Sequence, residues 1–297
     1  MIYQSVGNAA LCDVEARRNH LFEREKFMDR RLAKGTVNAA EFGKGPLLFL
    51  FHSLLSDRAS FDRIVPSLST SFRVVVPELP GFGLSQAVDG GLSAVADRMA
   101  EAVTDRAAGE DAIVLGNGYG GFVALQMAIR HPALASRLVL ADCGAAFSEP
   151  GRQAFRNMAG AAVSKGLAAI TDVAMRRLFA PEFQEKNPEL MQDRREAFLR
   201  TDTGVFRAAC ESLAALDLRP QLEKVSAPVL VLVGEHDEAT PPPMSHELAA
   251  GLPDAKLVIL PGCAHVPQLQ SPELFLDAVS GFLSGGNVAS KREALRG

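Results

Sequence analysis

Short runs of consecutive apolar residues punctuate the chain at Leu47 to Phe51, Phe72 to Val76, Ala112 to Leu115, Arg137 to Leu140, Val229 to Val233 and Leu257 to Leu260. Unbroken runs of this length suit strands buried on both faces. Most are separated by segments whose apolar residues recur at helical spacing. In Leu92 to Ala108 these are Leu92, Val95, Ala96, Met99 and Val103. Phe122 to Arg130 and Pro272 to Phe282 follow the same period. Strands alternating with helices predict an α/β fold, a mostly parallel sheet with helices on both faces. Gly43-Lys44-Gly45-Pro46 predicts a tight turn ahead of the first run. Residues 1 to 26 are charged and helix-compatible, and the tail from Gly285 is rich in Gly, Ser, Lys and Arg and is expected to fray.

The rhythm breaks between residues 145 and 223. No strand-like run occurs there, and Met158 to Phe179 and Leu190 to Leu216 read as helices. The pattern predicts a helical cap (145–223) inserted into a core made of 1–144 and 224–297. Such an insertion lies over the C-terminal edge of the sheet, where open α/β folds bind ligands.

Composition narrows the function classes. A chain of 297 residues that is 47% apolar can bury a sizeable core. A net charge of −4 argues against nucleic acid or an anionic membrane as the main partner. No signal peptide is expected, because no basic start precedes an apolar stretch. No membrane span is expected either, since no apolar run reaches about 18 residues. Cys12, Cys143, Cys210 and Cys263 are scattered without metal-ligand spacing, as are His20, His131, His236 and His246. Reduced thiols, a cytoplasmic location and no bound metal are the expectations.

The chemistry concentrates where Ala112 to Leu115 runs into Gly116-Asn117-Gly118-Tyr119-Gly120-Gly121 and then a helix. One interpretation is a dinucleotide fingerprint: Gly116, Gly118 and Gly121 satisfy G-x-G-x-x-G, and Asp142 ends the next strand where a ribose would be held. The other is a nucleophile elbow, G-x-S-x-G, with glycine in place of serine. Its central residue sits on a strained turn of positive φ, which glycine adopts freely.

Context favours the elbow. Two strand–helix units precede it, whereas a dinucleotide fingerprint opens its domain. His52-Ser53-Leu54-Leu55 follows the first buried strand, and Pro77-Glu78-Leu79-Pro80-Gly81-Phe82-Gly83-Leu84-Ser85 the second. Downstream, Gly234-Glu235-His236-Asp237 and Gly262-Cys263-Ala264-His265-Val266-Pro267 end two further strands. From about residue 36 to 283 this series resembles the α/β-hydrolase family. Phe179-Ala180-Pro181-Glu182-Phe183, Asn187-Pro188-Glu189-Leu190 and Asp217-Leu218-Arg219-Pro220 resemble its 3-oxoadipate enol-lactonase-like branch.

The resemblance implies an α/β-hydrolase fold without a cofactor and assigns roles. His265 is the base and Asp237 the acid that orients it, with Asp142 in reserve. The backbone N–H groups of Leu54 and Tyr119 form the oxyanion hole, while Ser53 and Asn117 contact substrate. His52 is a structural histidine behind the hole, and Cys143 and Cys263 are small apolar fillers. Gly118 is the departure from the family, since it can form no covalent intermediate. Whether it is native or replaces a native serine is open. The implied function is hydrolysis of a small, partly apolar ester or lactone. The alternatives are a non-hydrolytic His/Asp acid–base enzyme, a small-molecule-binding pseudo-hydrolase and, remotely, a dinucleotide-binding protein. A homodimer is left open.

Overall fold

The computed structural model describes residues 27–285. The expectations for residues 1 to 26, Cys12, His20 and the tail beyond Gly285 lie outside them. Eight strands form one sheet: β1 Met28–Leu32, β2 Val37–Phe42, β3 Leu47–Phe51, β4 Arg73–Pro77, β5 Ala112–Asn117, β6 Ala135–Ala141, β7 Val229–Gly234 and β8 Ala255–Leu260. Their spatial order is β1-β2-β4-β3-β5-β6-β7-β8. Every neighbouring pair from β4 to β8 is parallel, and β2 pairs antiparallel with both β1 and β4. Each predicted apolar run is one of the strands β3 to β8.

The helices are α1 Val65–Leu68, α2 Gly91–Ala107, α3 Tyr119–Arg130, α4 Glu149–Lys165, α5 Thr171–Leu178, α6 Pro181–Lys186, α7 Pro188–Leu199, α8 Thr203–Ala215, α9 Pro242–Gly251, α10 Pro267–Gln270 and α11 Pro272–Leu283. Alternation along the strands divides the core between the two faces of the sheet. Leu47, Phe49, Phe51, Val114 and Leu138 join α2, α3 and the cap helices. Leu48, Leu50, Ile113, Leu115 and Val139 pack with Phe275, Val279 and Phe282 of α11. No helix of the described residues is long and apolar enough to cross a membrane.

Chain order fixes where a site can form. The chain leaves β3 for β4 on one side and enters β5 on the other, so the loops after β3 and β5 diverge. That divergence opens a crevice at the C-terminal ends of these strands. In the parallel register, Phe51 of β3 lies opposite Gly116 of β5.

Between β6 and β7 the chain forms α4 to α8. The expected helix Met158 to Phe179 is two helices, because Gly166 at φ 78° ends α4 and a short 3-10 turn precedes α5. Leu190 to Leu216 also divides: Asp202 leaves helical geometry and caps α8 by accepting the Val205 N–H at 2.9 Å. Ala146 bridges Asp217, and Leu218 donates to the Ala145 carbonyl at 2.8 Å, pinching the base of the insertion.

The β1–β2 hairpin had no signal in the apolar pattern. β2 is buried along its whole length although it contains Glu41. Glu41 is 1% exposed and bridges Arg30 of β1 (Nη2–Oε1 3.0 Å) and Arg106 of α2 (Nη2–Oε1 2.9 Å). Burial alone would raise its pKa, but the two guanidiniums overcome that and hold it at about 2. A depressed carboxyl contributes stability above its unfolded value of 4.5 that is lost as pH falls through about 2. Glu41→Gln is therefore expected to cost about 3 kcal/mol at neutral pH. Urea denaturation across pH should show a shallower acid loss in the variant than in the native protein.

Candidate active site

β5 ends at Asn117, α3 starts at Tyr119, and Gly118 turns between them at φ 54°, ψ −120°. This is the left-handed geometry expected of an elbow. Its N–H donates to the Ala141 carbonyl at 2.9 Å, and its own carbonyl accepts from Gly121 at 2.9 Å. The neighbouring glycines serve close packing. A Cβ on Gly116 would come 2.3 Å from the Gly120 carbonyl oxygen, one on Gly120 2.1 Å from that of Phe51, and one on Gly121 2.8 Å from Cys143 Sγ. The glycine pattern thus seats α3 on β3, β5 and the end of β6. The dinucleotide alternative also lacks a free acid. Asp142 is fully buried, and its carboxyl accepts from the Gly234 N–H (2.8 Å) and Asn117 Nδ2 (3.1 Å).

Asp237 follows β7 and His265 follows β8. His265 Nδ1 lies 2.8 Å from Asp237 Oδ2, with both side chains buried. Asp237 divides its two oxygens between two tasks. Oδ1 accepts the backbone N–H groups of Ala239 (2.8 Å) and Thr240 (3.0 Å), a turn that any aspartate here could cap. Oδ2 faces His265 and also accepts the Thr240 hydroxyl at 2.7 Å. Burial opposes the charge on Asp237, yet His265 and Thr240 hold its pKa below the usual carboxylate range. With Nδ1–H donated to this carboxylate, Nε2 is left as the acceptor. It points to Ser53 Oγ, 3.4 Å away.

Asp142 behaves differently. Burial, the adjacent Asp237 charge and a hydrogen bond with Asp237 push its pKa well above the usual range, against the opposing Gly234 and Asn117 donors. Of the two carboxyls, it is the one shifted toward its protonated form. It is also a non-glycine residue at φ 52°, held there by its buried partners. Among the described residues, Asp142, Asp237 and His265 form the grouping that could gather a cation. Their oxygens already accept from Gly234, Asn117, Ala239 and Thr240, so the set is closed as it stands.

His52 lies behind the crevice. Leu79 N–H donates to its Nε2 at 3.1 Å, so its proton resides on Nδ1, which donates to the Ser53 carbonyl at 3.0 Å. Burial lowers its pKa and keeps the ring neutral. Asn117, expected at the substrate, is corrected by the structure. It is fully buried, and its Nδ2 also donates to the His265 carbonyl at 2.9 Å while its Oδ1 accepts from Gln268 Nε2 at 3.1 Å. It ties the loops after β6 and β8 together from behind. Thr240, Gln268 and Arg177 were not singled out from the sequence. Only Thr240 had a signal there, as the hydroxyl three residues after a turn aspartate.

Ser53, Leu54, Gly118, Tyr119, Thr240 and His265 share a small cavity of about 30 Å³ beneath Phe147, Phe155, Met158, Arg177 and Leu213. Tyr119 is the first residue of α3, where a backbone N–H has no acceptor within its helix. A space of this size holds a water or two rather than a substrate. A larger cavity of about 710 Å³ opens beyond the His52 loop, lined by Asp57, Arg58, Glu78 and Phe82, but neither Asp237 nor His265 reaches it. Burial raises the pKa of both the Cys143 thiol and the Tyr119 phenol, so neither is a ready nucleophile.

A parallel sheet whose switch point holds an elbow, a histidine and a buried aspartate defines the α/β-hydrolase class. The chain belongs to the alpha/beta hydrolase family, whose model matches residues 47–278. It is 30% identical over 249 residues to the pimeloyl-(acyl-carrier protein) methyl ester esterase of Nitrosomonas europaea, covering 81% of this chain and 97% of that one. It is 26% identical over 256 residues to 3-oxoadipate enol-lactonase 2 of Acinetobacter baylyi, covering 84% and 94%. The solved enol-lactonase of Burkholderia xenovorans superposes with a TM-score of 0.79 at 27% identity, over 86% of this chain and all of that one.

The two acids should separate in kinetics. Asp237→Asn is expected to lower kcat by about 10³- to 10⁴-fold, because the wrong histidine tautomer then faces the crevice. Asp142→Asn leaves the Asp237–His265 contact in place, and kcat should stay within about tenfold. Steady-state ester hydrolysis by the two variants checks the contrast.

Proposed function

We propose that this protein hydrolyses a small, partly apolar ester or lactone that carries a carboxylate. One observation supports the reaction type above all others: the buried Asp237–His265 pair presents Nε2 to a cavity bordered by Leu54 and Tyr119. His265 takes the proton from the attacking oxygen, and Asp237 stabilises the imidazolium that results. The N–H groups of Leu54 and Tyr119 hold the carbonyl oxygen as it gains charge. His265 then returns its proton to the leaving oxygen. No cofactor is required, and the partner is a small-molecule substrate.

The carboxylate is argued from the cap. Its contribution to the cavity is apolar (Phe147, Phe155, Met158 and Leu213) except for Arg177 on α5. A cation in an apolar wall favours a substrate with one anionic end and one aliphatic body. Because the cavity is small, the cap helices must shift to admit such a molecule. Gly118 favours a second reading, in which the dyad shuttles protons in an isomerisation or elimination and the same N–H groups hold an enolate. That reading gains if His265-dependent proton exchange occurs without ester turnover.

Arg177→Met is expected to raise KM about 10- to 100-fold for a carboxylate-bearing methyl ester, the loss of one charge-assisted hydrogen bond. A neutral ester of equal length should be affected by less than about threefold if no such bond is involved. Equal effects on both esters would remove the carboxylate from the proposal. Failure of both the native protein and a range of esters and enol lactones to give His265-dependent turnover would remove hydrolysis itself.

A further inference from the structure

We propose that Ser53 is the nucleophile of this site, a serine supplied by the loop after β3 in place of the elbow residue. The proposal rests on the hydrolase reading above and identifies its attacking atom. Its first support is position. Phe51 and Gly116 are register partners, and Ser53 and Gly118 each follow two residues later. The loops therefore meet. A Cβ on Gly118 would stand 2.5 Å from Ser53 Oγ, 3.0 Å from Ser53 Cβ and 2.7 Å from His265 Nε2. The volume from which an elbow serine would act already contains the hydroxyl of Ser53. The absence of a side chain at Gly118 is what lets it lie there.

The second support is the hydrogen-bond chain. Asp237 fixes the His265 proton on Nδ1, leaving Nε2 to accept from Ser53 Oγ at 3.4 Å. Nucleophile-to-base contacts are often long in unliganded sites and tighten once substrate is bound. The third support is positioning. His52 Nδ1 and the Ser56 N–H both donate to the Ser53 carbonyl, at 3.0 and 3.3 Å. These contacts hold its backbone beneath the crevice. Ser53 is not among the described residues with positive φ, so it presents its hydroxyl without the strain of an elbow. The Leu54 N–H directly follows Ser53, the relation an oxyanion donor bears to its nucleophile.

The chemistry balances as acyl transfer to water. Ser53 Oγ bonds to the carbonyl carbon, its proton passes to His265 Nε2, and the carbonyl π pair moves onto oxygen. Collapse breaks the bond to the leaving oxygen, which takes the proton from His265. In a lactone that oxygen stays tethered. Water then attacks the Ser53 ester and gives a proton to His265. Breaking the Ser53 ester bond releases the acid, and the proton returns to Oγ.

The test treats the native protein with an alkyl fluorophosphonate and locates the adduct by peptide mass spectrometry. In parallel it measures hydrolysis of a short activated ester and an enol lactone. The expected result is one adduct, on Ser53, forming at least about 100-fold more slowly in His265→Ala. Ser53→Ala should lose about 10³-fold or more in turnover. The double variant Gly118→Ser/Ser53→Ala, which frees the space at the elbow, should move the adduct to position 118. Turnover that needs His265 but survives in Ser53→Ala, with no adduct on Ser53, would overturn the proposal and leave hydrolysis by direct water attack. Neither turnover nor adduct would overturn both readings. An adduct on Ser53 without turnover would uphold the nucleophile and reject the ester or lactone class. The labelling of the native protein requires no variant to fold.

Discussion

The parallel pairing of β3 with β5 is the constraint on which the site depends. Phe51 opposite Gly116 brings together two loops that are 65 residues apart in sequence (118 − 53) and gives them one floor. A slip of one residue would turn every side chain of β3 to the other face of the sheet and carry Ser53 away from His265. Both strands are wholly buried, with their side chains divided between two cores, so such a slip would be resisted along the whole strand. Specificity of packing in the sheet thus becomes precision in the crevice.

The same pairing explains the glycines. The helix after Gly118 approaches β3 so closely that Gly120 has no room for a Cβ against the Phe51 carbonyl, and Gly121 packs on Cys143. Gly116, Gly120 and Gly121 are packing requirements. Gly118 differs from Gly116 and Gly120, because what a Cβ there would meet are side chains, Ser53 and His265, rather than backbone. Side chains can rotate away, which makes Gly118 the adjustable position of the elbow. A serine at this place and Ser53 in its present rotamer exclude one another.

Apolar pattern carried most of the fold, since unbroken runs mark strands whatever surrounds them. The β1–β2 hairpin escaped because its burial depends on charge pairing: Glu41 enters the core only in company with Arg30 and Arg106. The cap helices were legible as helices but not in their breaks at Gly166 and Asp202, where local turn chemistry outweighs apolar period. In the site, motif order was enough to single out Asp237 and His265. The role of Asn117 was not legible, because its partners Asp142, His265 and Gln268 lie 25, 148 and 151 residues away. The turn-cap reading of Asp237 and its expected role as orienting acid are compatible, for Oδ1 caps the turn while Oδ2 faces His265.

The paired carboxyls give the crevice its charge balance. Two ionised aspartates beside one imidazole would favour a permanently protonated histidine, which could accept nothing from an attacking oxygen. Burial and the adjacent Asp237 push Asp142 toward its protonated form, whereas His265 and Thr240 favour the charge on Asp237. When His265 takes a proton, the imidazolium forms beside one carboxylate in a low-dielectric surrounding, where that attraction is strongest. Asp142 sits at φ 52° between Gly234 and Asn117, and its strained placement lets its two oxygens accept from both. If Ser53 attacks as proposed, the acid pair, the glycine at the elbow and the serine across the crevice act as one arrangement that moves a single proton.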